Sequence, residues 1–239
     1  MAGRERAAAA NRRVAALVAC QGEGRVLWRL GNRQVERDRG LDRLEAFSDG
    51  VFSIAITLLV LDIHVPQVER GLLPALLGQW PAYVGYVVSF VVIGIWWANH
   101  HELFEHFEHS DHVLMLLNTL FLMCIAFLPF ATALVAEYLP RPDAEGYLAE
   151  AVYSGTLLGA GVMYNLVWRY AARAGLLRGE LSPEYLRQRH RRGLLSMLTY
   201  VAALGLAFLS VGASLALCFL VAVYYALPSR RRFSRSAGR

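Results

Sequence analysis

The side chains most able to do chemistry fall in three places along this sequence. The densest is a run of histidines and carboxylates: His100, His101, Glu102, Glu105, His106, Glu108, His109, Asp111 and His112. Pairs such as His101/Glu105 and Glu105/His109 are helical neighbours, a spacing that can hold a divalent metal or relay a proton. The same run is also what a solvated, charge-balanced helix end looks like, and that plainer reading is preferred. His100 and His101 stand apart from it, because they adjoin Trp97 at the end of an apolar stretch. The second place is a carboxylate, Asp49, next to Ser48 inside a segment rich in Leu, Ile, Val and Phe. An ionised carboxylate near a membrane costs several kcal/mol unless it is paired. Asp49 is therefore an ion or proton site, or a structural anchor paired with Arg43, His100 or His101 and hydrogen-bonded to Asn118. The third place is Asp62 with His64, where a carboxylate could raise the local cation concentration or simply end a solvated helix.

The element that must position Asp49 is Arg43 to Pro66, RLEAFSDGVFSIAITLLVLDIHVP. Leu44 to Val65 reads as one mostly apolar helix, about long enough to cross a hydrocarbon core of ~30 Å. Asp42 is the expected N-cap, with Glu45 in the capping-box position. Pro66 is the expected stop. At about 100° per residue, Phe47, Gly50, Ile54, Leu58, Leu61 and Val65 share a narrow stripe with Thr57 on its edge. Ser48 and Asp49 point to roughly the opposite side. A membrane carboxylate should face protein, so the stripe is left for lipid, for a partner helix or for a shared axis in an oligomer. Periodicity alone does not choose, but the position of Asp49 off the stripe favours the anchor.

The rest of the chain reads as membrane protein. It is 56% apolar, with mean hydropathy +0.37 and long runs almost free of charge. All 24 basic residues are Arg, which points to a GC-rich coding sequence rather than a mechanism. The pI near 9.3 invites a nucleic-acid partner, but the arginines sit in tails and one loop where topology already requires them. Cys20, Cys124 and Cys218 are odd in number and far apart, so neither a disulfide framework nor a metal site follows. Leu17-Val18-Ala19-Cys20 matches a lipoprotein cleavage pattern, yet its apolar core, Val14 to Ala19, is too short for a signal peptide.

Further spans are expected over Pro81 to about His100, Val113 to about Glu137 with Pro129 inside it, and Tyr147 to Ala172. In the last of these, Gly155, Gly159 and Gly161 should permit close helix packing. Gln67 to Trp80 and Glu137 to Gly146 read as loops, and Arg169 to Arg192 as a basic loop. Leu194 to Leu227 is 34 residues, about 51 Å as one helix and too long for one span. A break at Ser210 to Ser214 divides it in two, for six spans in all. The segment through Arg43 holds ten arginines, Arg169 to Arg192 seven and the C-terminal tail five, whereas the intervening loops hold only Arg70 and Arg141. Twenty-two against two puts both termini in the cytoplasm. The expected organisation is an Arg-rich tail over 1–40, an all-α six-helix membrane domain over 41–228 and a second tail over 229–239.

Arg43, the Phe47-Ser48-Asp49-Gly50 motif, Ile54, Thr57, Leu61 and Pro66 resemble the first helix of the transmembrane protein 175 potassium-channel family. The similarity continues through Tyr86, Ser89, Phe90, Trp97 and His100-His101, then Asn118, Phe121 and Phe127-Leu128-Pro129-Phe130. It covers Leu41 to Tyr138, and the remainder by hydropathy alone. The resemblance implies a prokaryotic plasma-membrane channel that prefers K+, assembled as a homo-oligomer, expected to be a tetramer, of six-helix subunits in lipid. The first helix would line a central pore, with rings of Ile54, Leu58 and Leu61 as an aliphatic constriction in place of a carbonyl filter. Thr57 would offer a hydroxyl to a partly dehydrated ion, and Asp62 would draw cations to the outer mouth. Arg43, Phe47, Ser48, Asp49, His100, His101 and Asn118 would form a supporting network. No cofactor, resident metal or nucleic acid is implied. Two other classes are weighed against this one. A secondary transporter or proton-conducting protein would use Asp49 and the His100–His112 cluster, but would normally show broken helices or paired repeats, and neither is found. An intramembrane metal enzyme would need a nucleophile or acid beside the cluster at membrane depth, and the sequence offers none.

Overall fold

The computed structural model describes residues 40–66, 71–139, 143–179 and 181–226. Among them every regular element is helical. α1 runs over 40–58 and tightens into a 3-10 turn at Leu59–Asp62. Next come α2 (Leu72–Gly78), α3 (Trp80–Phe104), α4 (His112–Tyr138), α5 (Ala144–Ala174), α6 (Pro183–Ala207) and α7 (Val211–Ala226). The two Arg-rich tails, apart from Gly40 at the head of α1, lie outside the described residues, as do the lipoprotein-like Cys20 and both Arg70 and Arg141.

The start and the stop of α1 both differ from expectation. Asp42 is not an N-cap but an exposed residue inside a helix already formed at residue 40. Burial overrides the local cap, because Leu41 and Leu44 are packed in a core with Leu103, Phe104, Leu114 and Trp168. At the other end the α-helix stops at Leu58 rather than running to Val65. In a continued helix the Asp62 carbonyl would accept from the backbone N–H of residue 66, and Pro66 has none. That carbonyl instead accepts from His64 Nδ1 at 3.0 Å, while Ile63 turns extended with its N–H on Val60 O at 3.1 Å.

α3 begins with Pro81 in its first turn. Gly85 marks its closest approach to α4, since a Cβ there would lie 3.2 Å from Thr132 Cγ2. α4 continues through Pro129, and Asp111 caps it by accepting from Leu114 N at 2.8 Å. Asp143 caps α5 through the N–H groups of Glu145 and Gly146. Gly175 ends α5 with φ +69°, a left-handed turn that an L side chain resists. Of the three glycines expected to pack closely, a Cβ at Gly159 would lie 3.5 Å from Cys124 Sγ and one at Gly161 3.6 Å from Tyr200, but one at Gly155 would meet nothing within 4 Å among the described residues. The small-residue packing therefore applies to two of them.

Two expected loops are largely helical. Gln67 to Trp80 contains α2, a one-sided helix with Leu72, Leu73 and Leu77 exposed. The basic loop shrinks to the few residues between α5 and α6, because Ser182 caps a helix that carries Arg187, Arg189, Arg191 and Arg192. The corner between α6 and α7 falls at residues 208–210, just ahead of the expected break, and Ser210 Oγ accepts from Ala213 N at 3.4 Å. Gly40–Asp62, Trp80–Phe104 and His112–Tyr138 are long and apolar enough to cross a membrane. α5 and α6 are long but more polar, and α7 is apolar but short.

Two apolar layers hold the bundle together. One joins α1, α3, α4, α5, α6 and α7 around Phe52, Ile93, Trp96, Phe121, Ile125, Tyr153 and Tyr200. The other seals the Arg-rich end around Leu103, Phe104, Phe107, Leu114 and Trp168. There an antiparallel bridge joins Phe107 to Leu177. Arg178 N donates to His106 O at 2.8 Å and Glu108 N to Leu176 O at 2.9 Å, tying the α3–α4 and α5–α6 connections together.

Candidate functional site

α1 has one buried face and one open face. Ser48, Phe52, Ala55 and Leu59 follow one another at helical spacing and are essentially inaccessible. Rotated away from them, Phe47 is 55% exposed, Ile54 60%, Leu58 41% and Leu61 67%. The apolar stripe is thus the side of α1 that the described residues leave uncovered. Ser53 and Thr57 lie beside it, also exposed. Thr57 Oγ1 donates to Ile54 O at 2.9 Å, so its hydrogen is used within the helix and its oxygen lone pairs remain as acceptors. Because Leu61 sits in the 3-10 turn, Ile54 to Leu61 rises about 12 Å, at 1.5 Å and then ~2.0 Å per residue. Val65 lies past the helical turns and is exposed. Asp62 is half-buried, and its Oδ2 is enclosed with no hydrogen-bond partner among the described residues.

Behind α1 the polar residues form two separate groups rather than one network. In the first, His100 Nε2 donates to Asn118 Oδ1 at 2.9 Å, Asn118 Nδ2 donates to Ser48 Oγ at 2.9 Å, and Ser48 Oγ donates to Leu44 O at 2.8 Å. All three side chains are buried. The chain of donors runs one way, which makes Nε2 the protonated nitrogen of His100; Nδ1 is enclosed without a partner among the described residues. The imidazole lies between Phe104 at 4.3 Å and Phe121 at 5.5 Å, with the edge of Phe52 at 5.5 Å. These bonds form a clamp that joins α1 to α3 and α4.

The second group corrects the expected partners of Asp49. Its Oδ1 accepts from Trp97 Nε1 at 2.9 Å, not from Arg43, His100, His101 or Asn118. Arg43 is exposed and enters none of these bonds. His101 pairs instead with Glu45 at 2.9 Å, stacked on Trp97 at 6.1 Å. The physical reason is register. His100 points into the core, so the half-exposed indole of Trp97 is what α3 presents to Asp49. Phe47 belongs to the open stripe and not to the network.

The His/carboxylate run disperses. His106 Nδ1 donates to Glu102 O at 2.7 Å while its Nε2 pairs with the Tyr185 hydroxyl at 2.9 Å, and Asp111 caps α4 while accepting from the Tyr170 hydroxyl. Among the described residues no three His, Cys, Asp or Glu side chains converge as metal ligands. Two polar sites went unnoticed in the sequence. Thr132 Oγ1 lies 2.7 Å from Ser89 Oγ, which lies 3.3 Å from Tyr153 Oη. Glu150, fully buried in α5, accepts from Ser214 Oγ at 2.6 Å. The signal for Glu150 was available: a lone carboxylate inside an apolar helix.

Comparison with known proteins places this fold in a family. Residues 43–129, which hold α1, α3 and the clamp, match the family model described as endosomal/lysosomal potassium channel TMEM175. A potassium channel of Chamaesiphon minutus is 44% identical over 197 residues, 78% of this chain and 94% of the relative. A potassium channel of Streptomyces collinus is 46% identical over 186 residues, 77% of this chain and 90% of the relative. The crystal structure of a lysosomal potassium-selective channel TMEM175 homolog from Chamaesiphon minutus superposes with TM-score 0.70 at 39% identity, covering 78% of this chain and 96% of that one. With relatives this similar along nearly their whole length, the chain belongs to the TMEM175 family, a family of membrane ion channels and not of enzymes.

Proposed function

We propose that this protein is a K+-preferring channel in which α1 of each subunit lines a central pore in a homotetramer. The observation that carries the reading is the open stripe of α1, with Ile54 60% and Leu61 67% exposed while Phe52, Ala55 and Leu59 on the other face are 1% exposed. One α1 cannot enclose a pore, so several copies must share an axis. The exposed Ser53 hydroxyl and the remaining lone pairs of Thr57 Oγ1 beside the stripe support an axis over lipid, because lipid offers them nothing to bond. In this arrangement rings of Ile54, Leu58 and Leu61 form an apolar constriction that resists hydration. Thr57 contributes oxygen to a partly dehydrated ion, and Asp62 draws cations to the outer mouth.

The clamp of Ser48, Asn118 and His100, with the Asp49–Trp97 bond, serves in this reading to aim the stripe rather than to carry ions. The potassium-channel relatives support K+ as the permeant ion. The arginine asymmetry supports six spans, with both termini on the cytoplasmic side of a prokaryotic plasma membrane. The deciding experiment is reconstitution of the purified chain into bilayers with a K+/Na+ gradient at equal pH, and then a pH gradient at equal K+. A reversal potential that follows K+ in the first and stays near zero in the second is the expected result. A potential that follows the proton gradient instead would replace this reading with a proton pathway, and saturable flux without unitary currents would replace it with a transporter.

A further inference from the structure

A cavity of about 380 Å³ opens between α3, α5, α6 and α7 at the Arg-rich end, and no residue of α1 lines it. Its inner wall is aromatic, with Trp96, Tyr164, Trp168 and Tyr200, and its charged side carries Arg189 and Arg192 against one carboxylate, Glu102. Arg189 is held in place: Nη2 donates to Tyr164 Oη at 2.8 Å, and the guanidinium sits 4.9 Å over the Trp168 ring. A guanidinium has five N–H donors, and Tyr164 takes one. The described charged residues lining the cavity are two arginines and one carboxylate. The α3 wall is different in kind. Val91, Gly94 and Ile95 line the cavity, and the wall continues along α3 as Val84 and Val87, both exposed apolar residues.

We propose that this cavity binds an anionic phospholipid, with its phosphodiester on Arg189 and Arg192 and one acyl chain along α3 over Gly94. The division of the wall argues for lipid over a soluble anion, since free phosphate would use the arginines and leave the apolar track bare. Basic pockets between membrane helices suit phospholipid headgroups, and aromatic side chains suit the same interfacial depth. A headgroup bearing hydroxyls, such as phosphatidylglycerol, would also give Glu102 donors to accept from. Gly94 leaves the track open, because a Cβ there would meet nothing within 4 Å.

The test uses the full chain in detergent, with lipid binding read by native mass spectrometry and thermal stabilisation, so it needs no ion flux and is independent of the channel reading. The probes are phosphatidylglycerol, phosphatidylcholine and inorganic phosphate. Phosphatidylglycerol should bind and stabilise at least tenfold more tightly than phosphatidylcholine. Arg192→Gln and Gly94→Leu should each weaken it about tenfold. Arg191→Gln, which removes the same charge from an exposed neighbour outside the cavity, should change it less than twofold. Equal weakening by Arg191→Gln and Arg192→Gln would mean diffuse surface attraction and overturn the site. Inorganic phosphate that competes at similar concentration, with Gly94→Leu lacking effect, would mean a soluble-anion site and overturn the lipid. Gly94→Ala extends the same track test with the smallest side chain, should the Leu variant fold poorly.

Discussion

Adjacent residues on α1 provide the sharpest test of the pore reading. Leu58 and Leu59 are chemically identical and one residue apart, yet Leu58 is 41% exposed on the open stripe and Leu59 is 1% exposed against α3 and α4. Leu59→Asn removes a packed side chain, worth about 2–5 kcal/mol, and buries an amide at about 1–3 kcal/mol more. The expected loss, roughly 3–8 kcal/mol, is a large part of the 5–15 kcal/mol typical of a folded domain. Low yield, a lowered melting temperature and dissociation on size-exclusion chromatography should follow. Leu58→Asn should leave the fold intact and change permeation. Each amide offers water or an ion about 0.5–1.5 kcal/mol of net hydrogen bonding, and about 2–6 kcal/mol over four copies. A barrier lowered by even 1.4 kcal/mol is tenfold in rate. Conductance should therefore rise at least tenfold until diffusion limits it, and the Na+/K+ permeability ratio should move toward one. The assay is bi-ionic reversal potential and unitary conductance in planar bilayers, with melting curves on the same preparations. Equal effects on permeation at Leu58 and Leu59, or none at either, would mean that the stripe is a packing surface and α1 does not line the path.

The remaining predictions concern what aims α1 and how the chain sits in the membrane. Asp49→Ala strands the Trp97 indole N–H and should cost about 1–3 kcal/mol, whereas Asp49→Asn keeps an acceptor and should cost less; melting curves separate them, and altered ion preference with normal assembly would refute the anchoring role. Asn118→Ala cuts the clamp at its centre, leaving His100 Nε2 without its acceptor, and should cost about 2–4 kcal/mol, more than Ser48→Ala by the same melting assay. With Cys20, Cys124 and Cys218 replaced by Ala, cysteines at Leu73 and Glu145 should react with an impermeant maleimide from outside and one at Arg178 should not. The reverse pattern would invert the orientation inferred from the arginines.

Much of the architecture is written locally. The apolar stripe of α1, the corner after Ala207 and the spans around Pro81 and Pro129 follow from hydrophobic period, length and proline chemistry, which are properties of neighbouring residues. The ends of α1 were less legible because each is decided by something outside the local pattern. Burial of Leu41 and Leu44 carries the helix past Asp42, and the missing N–H of Pro66 acts four residues upstream, at Asp62. The helical content of Arg187 to Arg192 was hidden because charge density resembles a loop, although Ser182 and Pro183 are an ordinary helix start.

By itself, the sequence determined that this is an all-helical membrane chain whose first helix keeps its carboxylate away from its open apolar stripe. Tertiary structure alone decided which group satisfies each polar one. Asp49 takes Trp97 rather than Arg43, Glu150 takes Ser214 from α7, and Arg189 lies on Trp168 from α5. The reason is that periodicity sets the face on which a side chain emerges, whereas its partner depends on the rotation and axial offset of a second helix. Those are fixed by the packing of Phe52, Trp96, Phe121 and Tyr200 together, which no local pattern contains.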